Sequence, residues 1–267
     1  MGTSDTAICI VGAGNVATHL AKALKGVDFD VCAIYSRTQD SASALAAQVG
    51  ATAVTTLGDL PQTPIYIYAV KDDILPTLAA EHSALRPEAL HVHTSGSTDL
   101  HVFSPNCRSY GVLYPMQTFS KQAKLDFRRI PCFVEGNSDE AQARITELAQ
   151  CISENVRALD SEKRRYLHLA AVFACNFVNH CYAVAGKILE EGAGLPFDVL
   201  LPLTDETAAK VHQLPPQTAQ TGPAVRFDRN ILDKHLQLLE NDNLRAELYR
   251  ILSESIHDFA EAVATGK

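Results

Sequence analysis

The apolar run Ala7-Ile-Cys-Ile-Val11 leads straight into Gly12-Ala-Gly14-Asn-Val-Ala17, and a helix-forming stretch follows. The order strand, Gly-x-Gly-x-x-Ala, helix is what a dinucleotide-binding turn requires. Gly12 permits the tight turn off the strand. Gly14 lets the backbone approach a pyrophosphate, and Ala17 lets the helix pack close to the strand. The free N–H groups and the dipole of that helix then face the phosphates. The pattern marks Gly12, Ala13, Gly14, Asn15 and Val16 as cofactor-binding residues, with a purely structural turn as the alternative.

The second strand-like run decides which dinucleotide is expected. About 20 residues beyond the glycines, an NAD site places an Asp or Glu on the ribose 2′-hydroxyl. Here the strand ends in Tyr35-Ser36-Arg37-Thr38, with no acid. Two hydroxyls and a guanidinium suit a 2′-phosphate, because Arg forms charge-assisted forks to phosphate oxygens. Asp40 reads as part of the next helix. NADP is therefore expected over NAD, with Ser36, Arg37 and Thr38 holding it; a solvated loop Arg is the alternative.

Composition narrows the classes further. With 267 residues, 46% of them hydrophobic, the chain can build two modest domains, or one large one with an appendage. A net charge of −8 argues against a nucleic-acid binder, which would carry a basic face. No apolar run of 18–20 residues stands out, so no membrane partner is expected. The N-terminus lacks a basic signal-type region, and the myristoylation pattern beginning at Gly2 is read as chance. Seven cysteines, an odd number without a CxxC, read as reduced, mostly buried thiols in a cytoplasmic protein. No metal cluster is expected.

Strand-like and helical runs alternate up to about residue 160, as in a parallel α/β sheet. Strands are expected at 7–11, 31–35, 52–54, 65–70, 89–94, 110–114, 131–134 and 156–158. Helices are expected at 15–25, 39–48, 73–80 and 138–153, with Asp72 or Asp73 capping the third. Past Asp160 the pattern is helical, including a long stretch over 161–190. The fold class is α/β: an N-terminal Rossmann, doubly wound, mostly parallel sheet at 1–160, followed by an all-helical domain at 161–267.

Ligands in such sheets bind beyond the carboxyl ends of the strands. Those ends hold Gly12–Ala17, Ser36–Thr38, Ala69–Asp73, His93–Ser97 and Tyr114–Phe119. Ala69, Val70 and Ser95 are accordingly assigned to the cofactor. The His93–Ser97 segment can bond a nicotinamide carboxamide or a substrate carboxylate, or be a structural turn. Gln117 is assigned to substrate. Along the long helix, His168, Cys175, Asn176 and Asn179 fall broadly on one side at helical spacing. A histidine can protonate a carbonyl oxygen, so His168 is the candidate proton donor or a core histidine. Asn176 is the candidate substrate anchor. Arg226 either pairs with Asp228 or clamps an acidic substrate.

Seven segments together carry a family resemblance: Gly12-Ala-Gly14-Asn-Val-Ala17, Tyr35-Ser-Arg37, Ala69-Val-Lys-Asp-Asp73, His93-Thr-Ser-Gly-Ser97, Tyr114-Pro-Met-Gln-Thr-Phe119, His168-Leu-Ala-Ala-Val-Phe-Ala-Cys-Asn176 and Thr221-Gly-Pro223. The chain resembles the NADP-dependent oxidoreductases of the pyrroline-5-carboxylate reductase, prephenate dehydrogenase and β-hydroxyacid dehydrogenase group. Within it, the chain is most similar to a deazaflavin-coenzyme-dependent-like subgroup with a helical C-terminal domain. Tyr114 stands where many prephenate dehydrogenases have His, and Val172 where the hydroxyacid enzymes have Lys. The resemblance implies hydride transfer to or from a small carbonyl or imine in an interdomain cleft, and a homodimer built by the helical domain. A non-catalytic nucleotide sensor or partner-binding protein on the same fold is the rival reading.

Overall fold

The computed structural model describes residues 6–27 and 29–265. The N-terminal segment bearing the signal and myristoylation readings lies outside the described residues.

Eight strands form one sheet in the order β3-β2-β1-β4-β5-β6-β7-β8. They are β1 (Ala7–Val11), β2 (Asp30–Tyr35), β3 (Thr52–Val54), β4 (Ile65–Tyr68), β5 (Leu90–His93), β6 (Ser109–Pro115), β7 (Cys132–Gly136) and β8 (Val156–Ala158). Every neighbouring pair is parallel except β6 with β7. β6 ends at Pro115, which has no N–H to extend the ladder. The helices between strands are α1 (Asn15–Lys25), α2 (Gln39–Val49), α3 (Leu75–Leu85) and α4 (Asp139–Ile152).

Both faces of the sheet are covered, which is why β1 and β4 are apolar throughout and why even the two histidines of β5 are buried. Ile8 and Ile10 pack with Leu20, Ile34 and Ile145 on one face. Cys9 and Val11 face the other way, into Tyr66, Tyr68 and Phe103. That second core contains a buried polar network. The Tyr68 hydroxyl lies 2.8 Å from His82 Nδ1 and 2.9 Å from His91 Nδ1, and His91 Nε2 lies 2.8 Å from the Arg86 carbonyl. A carbonyl only accepts, so His91 Nε2 carries the proton and its Nδ1 accepts from Tyr68. His82 Nδ1 then donates to the phenol oxygen. Burial, aided by His91 and Arg86, pulls His82 down to about 4, and burial alone also lowers His91.

After the sheet the chain is helical: α5 (Ser161–Ala171), a π-helical turn (Val172–Phe177), α6 (Val178–Ala193), α7 (Leu201–Lys210), α8 (Pro216–Ala219), α9 (Arg229–Leu238) and α10 (Asn243–Thr265). Ser161–Ala193 is by length and composition apolar enough to cross a membrane, with a window of mean hydropathy 1.3. Interspersed polar residues such as Asn176, Asn179 and His180 keep it from being one contiguous apolar run. The chain separates into two compact units, one ending at Asn176 and the other beginning at Phe177.

All seven cysteines are free. Burial pushes Cys9, Cys107 and Cys132 up to about 11, so these thiols are inert. Cys151 and Cys181 are exposed, which corrects the expectation of mostly buried thiols.

Candidate functional site

Two adjoining cavities open at the carboxyl ends of the parallel strands, and every residue lining them belongs to the unit that ends at Asn176. The larger, about 670 Å³, begins at the β1–α1 turn. Gly12 has φ +125°, and a Cβ there would sit 2.2 Å from the Ala69 carbonyl oxygen. Only glycine lets β1 turn this close beside β4. A Cβ on Gly14 would meet no protein atom within 4 Å. Gly14 is the N-cap of α1 and supplies no side-chain hydrogen bond, and the first turn carries no acid. The helix therefore presents unsatisfied N–H groups to open space, as an anion site requires.

At the end of β2 the cavity is lined by Tyr35, Ser36, Arg37 and Ser41. Arg37 is exposed, free to reach an anionic ligand. Thr38 does not line the cavity; it is the N-cap of α2, and its hydroxyl donates to Ser41 Oγ at 2.9 Å. The segment after β6 is tied to α1: Asn15 Nδ2 donates to the Phe119 carbonyl at 2.8 Å, and His19 Nε2 lies 2.8 Å from the Ser120 carbonyl. Asn15 thus holds a wall of the cavity as well as lining it.

At the other end, the Tyr114 hydroxyl lies 3.2 Å from His168 Nδ1. Burial raises the phenol above its ordinary range; the Asp72 carboxylate adds to this and Arg164 opposes it. The segment Thr94–Thr98 runs beneath both rings. A Cβ on Gly96 would lie 2.6 Å from His168 Nδ1 and 2.9 Å from Tyr114 Cζ. The Ser95 hydroxyl accepts from the Ser97 and Thr98 amides and donates to Thr98 Oγ1, so it holds the turn. Ser97 donates to Asp72, which is not the cap of α3; Ile74 occupies that position.

Arg164, one helical turn before His168, was not singled out from the sequence. It is 1% exposed and pairs with Glu135 at 2.6 Å. It also bonds Ser161 Oγ and the Thr98 carbonyl. Ser161 donates its amide and hydroxyl to the same carboxylate, at 2.9 and 2.7 Å. The start of α5 is thereby clamped to β7 and to the turn below the dyad.

The second cavity, about 530 Å³, is lined by Met116, Thr118, Leu167, Cys175 and Asn176 together with alanines. Tyr114, Gln117 and His168 line both cavities. Gly12, Ala13, Gly14, Asn15, Val16, Ala69, Val70 and Ser95 all line the larger one. Asn176 sits in the π-turn and reaches only the smaller. Asn179 lines neither: the π-turn breaks the regular spacing that grouped it with His168. Arg226 lines neither cavity. Among the described residues there is no group of three His, Cys, Asp or Glu side chains able to hold a metal.

Residues 3–116 match the Rossmann-like domain family, and residues 130–256 match the domain of unknown function DUF2520. No curated protein matches the chain. A Bacteroides fragilis protein described as a "putative NADP oxidoreductase" is 47% identical, with 96% of this chain and all of that one covered, at a TM-score of 0.88. A Thermotoga maritima protein is 23% identical over 95% of this chain and 99% of its own, at 0.80. A reductive aminase from Aspergillus terreus, solved with NADPH and ethyl-5-oxohexanoate, is 14% identical. It covers 97% of this chain and 94% of its own, at 0.70, and shares the fold.

Proposed function

The chain belongs to the Rossmann-like NADP oxidoreductase family that carries a DUF2520 C-terminal domain, and we propose that it transfers a hydride between NADP(H) and a small carbonyl or imine. One observation carries this reading. The uncapped N-terminus of α1 faces the same cavity as Arg37 at one end and the Tyr114–His168 pair at the other. The residues present fit the dinucleotide. The α1 amides suit the pyrophosphate. Arg37, with Ser36 and Ser41 beside it, suits a 2′-phosphate. When bound, the nicotinamide supplies the hydride; the protein supplies orientation and a proton. In this reading His168 handles that proton, and Gln117 and Asn176, which line the second cavity with it, bond the substrate.

In this reading residues 1–160 bind nucleotide, α5 and the π-turn at the start of 161–267 complete the substrate site, and the helical domain 161–267 forms a homodimer. Seven free thiols support a reducing, cytoplasmic setting. Neither nucleic acid nor membrane is expected as a partner.

Calorimetric titration with NADPH and NADH tests the cofactor, and hydride exchange with a panel of ketones and cyclic imines tests the chemistry. NADPH binding with turnover of a panel member is the expected result. NADPH binding with no exchange on any carbonyl or imine would favour the nucleotide-sensor reading. Binding of neither nucleotide would remove the oxidoreductase function.

A further inference from the structure

We propose that Tyr114 is the residue that exchanges a proton directly with the reacting substrate atom, with His168 as its relay to solvent. The proposal rests on the hydride-transfer reading above and assigns the proton step within it.

Tyr114, Gln117 and His168 are the residues common to both cavities. A carboxamide does not titrate, so the two groups able to move a proton where nucleotide and substrate would meet are the phenol and the imidazole. They are already 3.2 Å apart, with the rings at 72°. The contact is built rather than incidental. Gly96 leaves only backbone beneath the rings, since a Cβ there would overlap both. The Thr98 carbonyl of that turn is held by Arg164, one turn before His168 on α5. The phenol comes from the rigid end of β6 and the imidazole from α5, so their spacing is set by two fixed elements.

The groups facing the phenol are Asp72, Arg164 and His168. Burial and the Asp72 carboxylate keep it protonated, as a donor must be at neutral pH. In the reductive direction the substrate carbon receives a hydride, with its electron pair, from the reduced nicotinamide, which is left oxidised. The substrate oxygen or nitrogen receives the Tyr114 hydroxyl proton. The phenolate oxygen takes a proton from Nδ1 of His168 in its imidazolium form, and the neutral imidazole regains one from water. The balance is one hydride and one solvent proton added to the substrate. The oxidative direction is the reverse.

Full-length Tyr114→Phe and His168→Gln variants separate the roles. Tyr114→Phe is expected to lower turnover by about 100- to 10,000-fold, the usual worth of a general acid, without moving NADPH affinity by calorimetry. His168→Gln is expected to be slowed but restored by added imidazole, which does nothing for Tyr114→Phe. In NMR spectra of the nucleotide-free protein, Tyr114→Phe is expected to move the His168 imidazole nitrogen resonances, because Nδ1 loses the hydroxyl 3.2 Å away. Wild-type turnover in Tyr114→Phe would overturn the proposal and leave the hydride-transfer reading intact. If the wild type turns over no carbonyl or imine, that reading falls. Unmoved His168 ring resonances in Tyr114→Phe then overturn the dyad independently.

Discussion

Gly12 and Gly14 sit two residues apart in one turn and are glycine for different reasons. At position 12 the backbone has positive φ and a side chain would strike the Ala69 carbonyl. Gly12→Ala is therefore expected to lose about 1–3 kcal/mol of stability, read from urea unfolding, and nucleotide binding with it. At position 14 φ is −80° and a methyl would meet no protein atom. Gly14→Ala should leave the unfolding midpoint in place while weakening NADPH in calorimetry, because the methyl occupies the pyrophosphate's space. Arg37 adds the third expectation. A charge-assisted bond to a 2′-phosphate is worth about 1.5–3 kcal/mol, so Arg37→Ala should weaken NADPH by about tenfold or more and leave NADH unchanged. An equal loss for both would mean Arg37 does not read the phosphate. These residues were legible in the sequence because a turn between strand and helix is a local code, complete within a dozen positions.

At the scale of elements, local patterns found the strands and long-range pairings escaped. All eight strands fall within a few residues of their expected places, because short apolar and aromatic runs bounded by turn residues admit few readings. Arg164 looks in sequence like one cation in a solvated helix start, Glu162-Lys-Arg-Arg165. Its partner Glu135 lies in β7, 29 residues earlier, and nothing local announces the pair. The π-turn at Val172–Phe177 is equally silent. Helical spacing therefore grouped Asn176 rightly with His168 at the second cavity, and Asn179 wrongly. The clamp has a measurable consequence. Removing one partner of a buried pair strands the other charge and costs about 3–5 kcal/mol. Arg164→Met should lower the urea midpoint markedly, and adding Glu135→Gln should recover part of the loss. A single variant as stable as wild type would mean the pair does not hold α5 to the sheet.

The whole molecule is poised by two features that no single element contains. The first is a sheet core with neutral histidines. His82 is held down to about 4 and His93 to about 3, both chiefly by burial. Unfolded, each titrates near its ordinary 6.5. Between these values the unfolded chain binds more protons than the native one. Their contribution to stability is full above about pH 6.5 and is lost as pH falls toward 3–4. Urea midpoints should drop between about pH 7 and about pH 5, and His82→Phe should make that drop shallower. The second feature is the poverty of the core in the unit beginning at Phe177. Among its described residues only Ala224 and Leu232 are buried hydrophobics. Leu195, Leu203, Ile251, Phe259 and Val263 are each more than two-fifths exposed. A helical unit with so little of its own core gains its stability from surface it buries against something else. A second copy of the chain is the expected cover, and the thermal midpoint should then rise with protein concentration. Sedimentation should find a dimer. Leu203→Glu with Phe259→Glu should shift it toward a less stable monomer while the fold of the sheet, read by the near-UV signal of its buried tyrosines, persists. A monomer at all concentrations that floats with phosphatidylcholine vesicles would instead assign the apolar face of Ser161–Ala193 to lipid.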